Sequence, residues 1–198
     1  MPPRPRHASV RGMNSAGSAS PGRWRLAALL VLVLGTMAST AGAAVPQDSV
    51  VGSGKLTFAD VPEPGMSTTE QQIVSAHSGP SGEDPSGMLK FHSPLLESNQ
   101  AQAEVQCLVV SGDTAVVGGR FPEPVMYGGL AWRHLVFVIR DNGPRAAGPD
   151  QATGFIFIDR ERPPGFSPCN SVPPPALFPV EALFPVEQGD YTVTDASP

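Results

Sequence analysis

The sequence predicts an all-β protein, a small antiparallel β-barrel or roll with long Gly- and Pro-rich loops, and three observations carry that expectation. Among 198 residues 21 are Gly and 23 are Pro, a density that leaves few stretches long enough for helix. Apolar runs such as Leu135-Val136-Phe137-Val138-Ile139 and Phe155-Ile156-Phe157-Ile158 have the length and branching of buried strands, which a disordered chain lacks. Between the runs the chain keeps returning to turn chemistry, Gly79-Pro80-Ser81-Gly82 and Asn142-Gly143 among it.

The N-terminus has the pattern of a secretory signal, expected over residues 1–43. Arg4, Arg6, Arg11, Arg23 and Arg25 form a basic leader without an acid, the apolar core runs from Leu26 to Leu34, and small residues end at Ala41-Gly42-Ala43-Ala44. Cleavage is expected after Ala43, or else after Ala44. The alternative is a retained anchor, since Leu26 to Val45 approaches the length that spans a bilayer. The rest of the chain holds 8 basic and 18 acidic residues. That balance repels a phosphate backbone or an anionic membrane, so no nucleic-acid partner is expected and no stable membrane anchor after cleavage.

Residues 44–69 read as a flexible leader with one short strand at Lys55-Leu56-Thr57-Phe58. An antiparallel β domain is expected over 70–198. Gln71 to His77 and Met88 to His92 form its first hairpin; Glu104 to Val110 and Thr114 to Arg120 form the second, turning at Ser111-Gly112-Asp113. In the second hairpin Val105, Cys107 and Val109 share a face by alternation, which points Cys107 inward, and Gly118-Gly119 suggests a bulge or a close backbone approach. Phe121 to Tyr127, with two prolines, reads as a loop. Trp132 to Arg140 and Gly154 to Asp159 read as strands apolar on both faces, and Tyr191 to Thr194 as the closing strand.

A Pro-rich excursion occupies 160–188. It contains Cys169, and pairing this residue with Cys107 would close a loop of about 62 residues, stabilising the fold by roughly 4 kcal/mol. The alternative is two free thiols. The excursion ends in an identical tandem hexapeptide, Ala176-Leu177-Phe178-Pro179-Val180-Glu181 and Ala182-Leu183-Phe184-Pro185-Val186-Glu187. Two copies are too few for a solenoid. The repeat reads as a duplication tolerated in a surface loop, with an exposed Leu-Phe partner-binding site as the sharper alternative.

Several stretches together, Asp48 to Gly54, Ser78 to Gly87, Cys107 to Gly119, Asp141-Asn142-Gly143, Pro149-Asp150 and Gly189 to Val193, give a pattern that resembles a group of uncharacterised secreted β-proteins of high-GC bacteria. The likeness spans most of residues 48 to 194 and implies a small antiparallel roll or barrel. It implies no activity, and the hexapeptide duplication departs from it.

Catalytic motifs are missing: there is no Gly-x-Ser-x-Gly, no His-Glu-x-x-His, no Walker loop and no Gly-x-Gly-x-x-Gly. His77 and His92 end neighbouring strands and are weak metal candidates, with Glu83 or Asp84 nearby; their spacing matches no ligand motif, so no metal and no other cofactor is expected. Asp141, Asn142 and Asp150 could offer oxygens to calcium, but a turn role for Asp141-Asn142-Gly143 is the simpler reading. Glu83 and Asp84 are the carboxylate pair to test for glycoside hydrolysis. The favoured expectation is a secreted, extracellular, monomeric, non-catalytic β-domain that binds a protein or small ligand or serves the cell exterior. The alternative is a small extracellular hydrolase or a small-ligand carrier.

Overall fold

One strand, Ser67–Ser78, shows why this chain forms a sheet. Each second side chain from Thr68 to Ser78 is buried and those between are exposed or half-buried, the period of a strand with one face on a core. The structure is a computed structural model that describes residues 46–59, 63–127, 129–144, 147–158, 165–177 and 179–196. The expected signal peptide lies outside the described residues, as do Asp159 and the start of the Pro-rich excursion.

The described residues form ten strands: β1 (Asp48–Ala59), β2 (Ser67–Ser78), β3 (Ser86–His92), β4 (Gln100–Ser111), β5 (Thr114–Tyr127), β6 (Leu130–Arg140), β7 (Gln151–Ala152), β8 (Ile156–Ile158), β9 (Phe184–Pro185) and β10 (Gln188–Thr194). Short 3-10 turns occupy Pro168–Ser171, Pro175–Leu177 and Val180–Ala182. All pairings are antiparallel, in the order β10-β1-β2-β3-β4-β5-β6-β7-β9, with β8 also on β6. The sheet curls into a half-barrel, so the all-β antiparallel expectation holds. Among the described residues no helix is long and apolar enough to cross a membrane.

The core fills the concave face, where Leu56, Val74, Leu89, Phe91, Val117, Phe121, Leu135, Phe137 and Tyr191 meet. Each such side chain contributes roughly 1.5–3 kcal/mol of burial. A second cluster lies behind β4 to β6, made of Cys107, Val116, Val136, Val138, Ile158, Cys169 and Leu183. The middle of the sheet is therefore covered on both sides, as the two-faced apolarity of the Leu135 to Ile139 run requires.

Three expectations are corrected. Within the segment expected as leader, the short strand expected at Lys55 to Phe58 is part of a longer one, β1, twelve residues paired along its length with β2 and on its other side with β10. Its Gly52, Ser53 and Gly54 conceal the strand from a propensity reading; at Gly54 an added Cβ would stand 2.6 Å from the Tyr191 hydroxyl, so the small residue makes room for that ring. The expected loop Phe121 to Tyr127 is instead the end of β5. Pro122 and Pro124 sit where the β5–β6 ladder is interrupted between Arg120 and Val125, so their missing N–H groups break no bond there. Finally, Cys107 does not point into the concave core. A bulge between Val105 and Cys107 inserts Gln106, which leaves Val105 inward and turns Cys107 to the outer cluster.

The Cys107–Cys169 disulfide is formed, with Cα atoms 6.1 Å apart. It clamps the Pro168–Ser171 turn onto the outer face of β4 and β5. Gly118 is the reason it fits: a Cβ there would stand 2.6 Å from both Cys107 Sγ and Pro168 Cβ. The close backbone approach expected at the paired glycines is this one.

Carboxylates finish the sheet where strands do not. Along the edge of β10 away from β1, the N–H groups of Tyr191 and Val193 donate to Asp150 Oδ2 (2.7 Å) and Asp141 Oδ2 (3.0 Å). Asp48 Oδ1 accepts from Ala196 N–H (2.8 Å), and Asp195 Oδ2 from Gly112 N–H (2.6 Å). An edge strand otherwise presents unpaired N–H groups, and here the side chains of the flanking loops take them.

Candidate functional site

The sequence candidates disperse. His77 pairs with Ser86 while His92 pairs with Gln71, so six residues of β2 separate them along one ladder, about 20 Å at strand rise. The expectation that these histidines approach each other is corrected by this register. Glu83 and Asp84 sit exposed in the β2–β3 loop, where Glu83 Oε2 accepts the Ser81 N–H (2.7 Å) and Asp84 has positive φ (48°). They serve the turn. Among the described residues no group of three or more His, Cys, Asp or Glu is placed to hold a metal ion.

Asp141 and Asp150 have their oxygens engaged in backbone bonds. Beside the bonds to β10, Asp141 Oδ1 accepts from Gly143 N–H (2.6 Å) and Asp150 Oδ1 from Asn142 N–H (3.0 Å). The Asp141-Asn142-Gly143 turn is thus built by its first side chain. Burial pushes the Asp150 carboxyl above its usual value, against the pull of the Tyr191 and Asn142 amides. A hollow of about 530 Å³ lies over this seam, lined by Gly148, Pro149, Asp150 and Val186 to Asp190. Of its three carboxylates, Asp150, Glu187 and Asp190, the first is already engaged by the Asn142 and Tyr191 amides of the fold.

A second recess is chemically different. It is a groove of about 330 Å³ lined by Phe58 of β1, Glu70 of β2, Leu95, Tyr127 of β5, the segment Thr153 to Ile156, Ala182 and Phe184. Glu70 occupies an inward position of β2, in phase with Val74 and Ala76, and is 5% exposed. Its Oε1 accepts the Ser93 hydroxyl (3.1 Å), and Ser93 Oγ in turn accepts the Leu95 N–H (3.3 Å). Its Oε2 is buried without a hydrogen-bond partner. A Cβ placed at Gly154 would stand 3.8 Å from that Oε2 and 3.1 Å from Phe58 Cζ, so the glycine keeps the space beside the carboxyl open.

Removal from water dominates the electrostatics of this carboxyl. Burial raises the Glu70 pKa to about 7, opposed by the Ser93 hydroxyl and the Phe155 backbone amide. Burial and the Glu70 charge together raise the Tyr127 phenol above its ordinary value. Deeper in the half-barrel, Gln72 donates from Nε2 to Thr153 O (2.8 Å) and accepts the Tyr191 hydroxyl at Oε1 (3.3 Å). Gln72 is fully buried and satisfied, so it fixes Thr153 and with it the wall that carries Gly154 and Phe155.

The walls are aromatic. Phe58 and Phe184 meet edge to face at 4.8 Å, and Phe155 and Tyr127 both pack on Phe157, at 6.3 and 4.7 Å. These contacts hold the rings without filling the groove. Sequence reasoning missed Glu70 because it stood at the seam between the expected leader and the first expected strand, which began at Gln71. The available signal was parity: counted back from Val74, positions 72, 70 and 68 continue the buried face, and a Glu there is an acid in the interior. A comparison with protein-family models, with curated proteins and with solved structures found no match to this chain.

Proposed function

We propose that this chain is a secreted, non-catalytic β-domain that holds a small, largely apolar ligand in the Glu70 groove. The observation that carries the reading is Glu70 Oε2, a buried polar atom left without a partner at the wall of an open aromatic recess. Unpaired buried polar atoms are rare and costly in folded proteins, and a ligand that supplies the missing bond offsets that cost. The volume lies at the low end of small-molecule pockets, which are mostly apolar with a few placed polar groups.

A carboxyl titrating near 7 also suits general acid–base work. Catalysis, however, needs a second group, and Tyr127 is the other titratable side chain among the described residues lining the groove. The binding reading therefore takes precedence over the hydrolase alternative. Placement outside the cell is supported by the basic leader and apolar core before Ala43 and by the disulfide, a bond that persists in oxidising compartments.

The test is fluorescence of the neutral apolar dye Nile red with the mature chain and with Gly154→Leu, which inserts a side chain beside Phe58 and Glu70. Saturable enhancement in the natural protein, lost in the variant while its far-ultraviolet circular dichroism is kept, is the expected result. Equal enhancement in both proteins, or none in either, refutes the groove as a ligand site.

A further inference from the structure

Ionised or neutral, Glu70 lacks something at Oε2. Among the described residues a protonated carboxyl at Oε2 has no acceptor, and an ionised carboxylate has the Ser93 hydroxyl on Oε1 and the pull of the Phe155 amide but no hydrogen bond at Oε2 and so fewer donors than its lone pairs can take. The charged form also lacks a counterion: the described residues lining the groove include no Lys, Arg or His, and Tyr127 is the titratable neighbour. Around this single acidic point stand the rings of Phe58, Tyr127, Phe155 and Phe184.

Aromatic faces attract cations and a carboxylate completes such a site, which is how organic ammonium groups are recognised in aromatic boxes. An anionic ligand would face the Glu70 charge in a desolvated recess. A neutral ligand would find the apolar walls but leave the ionised carboxylate without its counterion.

We propose that the groove selects a small organic cation, an ammonium head on an apolar or aromatic body, with the head against Glu70 Oε2 and the body among Phe58, Tyr127, Phe155 and Phe184. The inference rests on the ligand-binding reading above and adds to it the charge of the ligand. It has a signed pH consequence. A bound cation favours the carboxylate, so it lowers the Glu70 pKa from its raised value of about 7 and expels a proton wherever the free protein still holds one. Tyr127 titrates above its ordinary value and Ser93 and Thr153 do not titrate, so Glu70 is the group facing the site that changes charge between pH 5 and 8.

The test displaces Nile red with hexylammonium, hexanol and hexanoate, three probes with one body and different heads, in the natural protein and in Glu70→Gln. At pH 8 hexylammonium should compete about tenfold or more better than hexanol, the range of a charge-assisted bond over a neutral one, and hexanoate worst. In Glu70→Gln, whose fold is checked by an unchanged far-ultraviolet circular dichroism spectrum, the preference should fall to about threefold or less. Calorimetry of hexylammonium binding in buffers of different ionisation enthalpy should show release of about 0.4 proton or more near pH 6, as a tenfold coupling requires, and none near pH 9. Equal competition by hexylammonium and hexanol, or binding without proton release at pH 6, overturns the cation inference while leaving an apolar groove. Absence of dye binding overturns the ligand reading itself.

Discussion

The two hexapeptides have the same sequence and different structures. In the first, Ala176 to Glu181, Leu177 is 73% exposed and Val180 is exposed too. In the second, Ala182 to Glu187, Leu183 is 8% exposed within the outer cluster, Val186 belongs to the concave core, and Phe184 and Ala182 line the Glu70 groove. Propensity cannot separate identical strings, so the difference comes from what each is joined to. The second copy runs directly into β10, and three contacts fix it: Phe184–Pro185 pairs with Gln151–Ala152, Val186 N–H donates to Asp150 O (2.8 Å), and Glu187 N–H donates to Lys55 O (2.9 Å). The first copy stands six residues farther from that anchor. Burial at this site is a property of chain position relative to β10, with the sequence supplying only a side-chain set able to accept it.

The largest effect on the comparison should come from the clamp upstream of both copies. Cys107→Ser releases the Pro168–Ser171 turn and reopens a 62-residue separation in the unfolded chain, a loss of roughly 4 kcal/mol and about 10 °C in thermal midpoint. An unchanged midpoint under oxidising conditions would show that the clamp does not stabilise the excursion. The next test is paired within the repeat. Leu183→Ala removes a buried side chain and should destabilise by about 3 kcal/mol in urea titration, whereas Leu177→Ala should stay within about 0.5 kcal/mol. Comparable losses at both positions would sink the assignment of one structural and one surface copy.

Particular residues show how far the sequence was legible. The β2–β3 and β4–β5 hairpins and the apolar core of β6 follow from alternation and turn chemistry, signals that act within a few residues. The disulfide partners were legible because the chain has two cysteines. The face of Cys107 was not, since one inserted residue, Gln106, reverses parity and nothing in its own side chain announces the bulge. β1 was hidden because Gly52 makes room for the β10 backbone at Asp190 and Tyr191 and Gly54 for the Tyr191 ring, the latter a contact made across 137 residues of chain. The groove was least legible of all. Glu70, Ser93, Gly154 and Phe184 come from four separate segments, and only the curl of the sheet brings them to one recess.

The smallest expected effect is the most informative about the repeat. Removing residues 176–181 or residues 182–187 yields one and the same sequence, in which a single Ala-Leu-Phe-Pro-Val-Glu joins Pro175 to Gln188. That copy is then adjacent to β10, so it should take the buried position, with its Leu in the outer cluster, its Phe edge to face on Phe58 and its Val in the core. What the protein loses is surface chain, and shortening a loop by six residues alters closure entropy by well under 1 kcal/mol. Stability within about 1 kcal/mol of the natural protein, together with retained Nile red binding, is the expected outcome, read by urea titration and fluorescence. A large loss would mean that the exposed copy supplies span as well as surface: Pro175 is buried at the end of the clamped segment, and six residues fewer would then leave the chain too short to reach both the disulfide turn and β10.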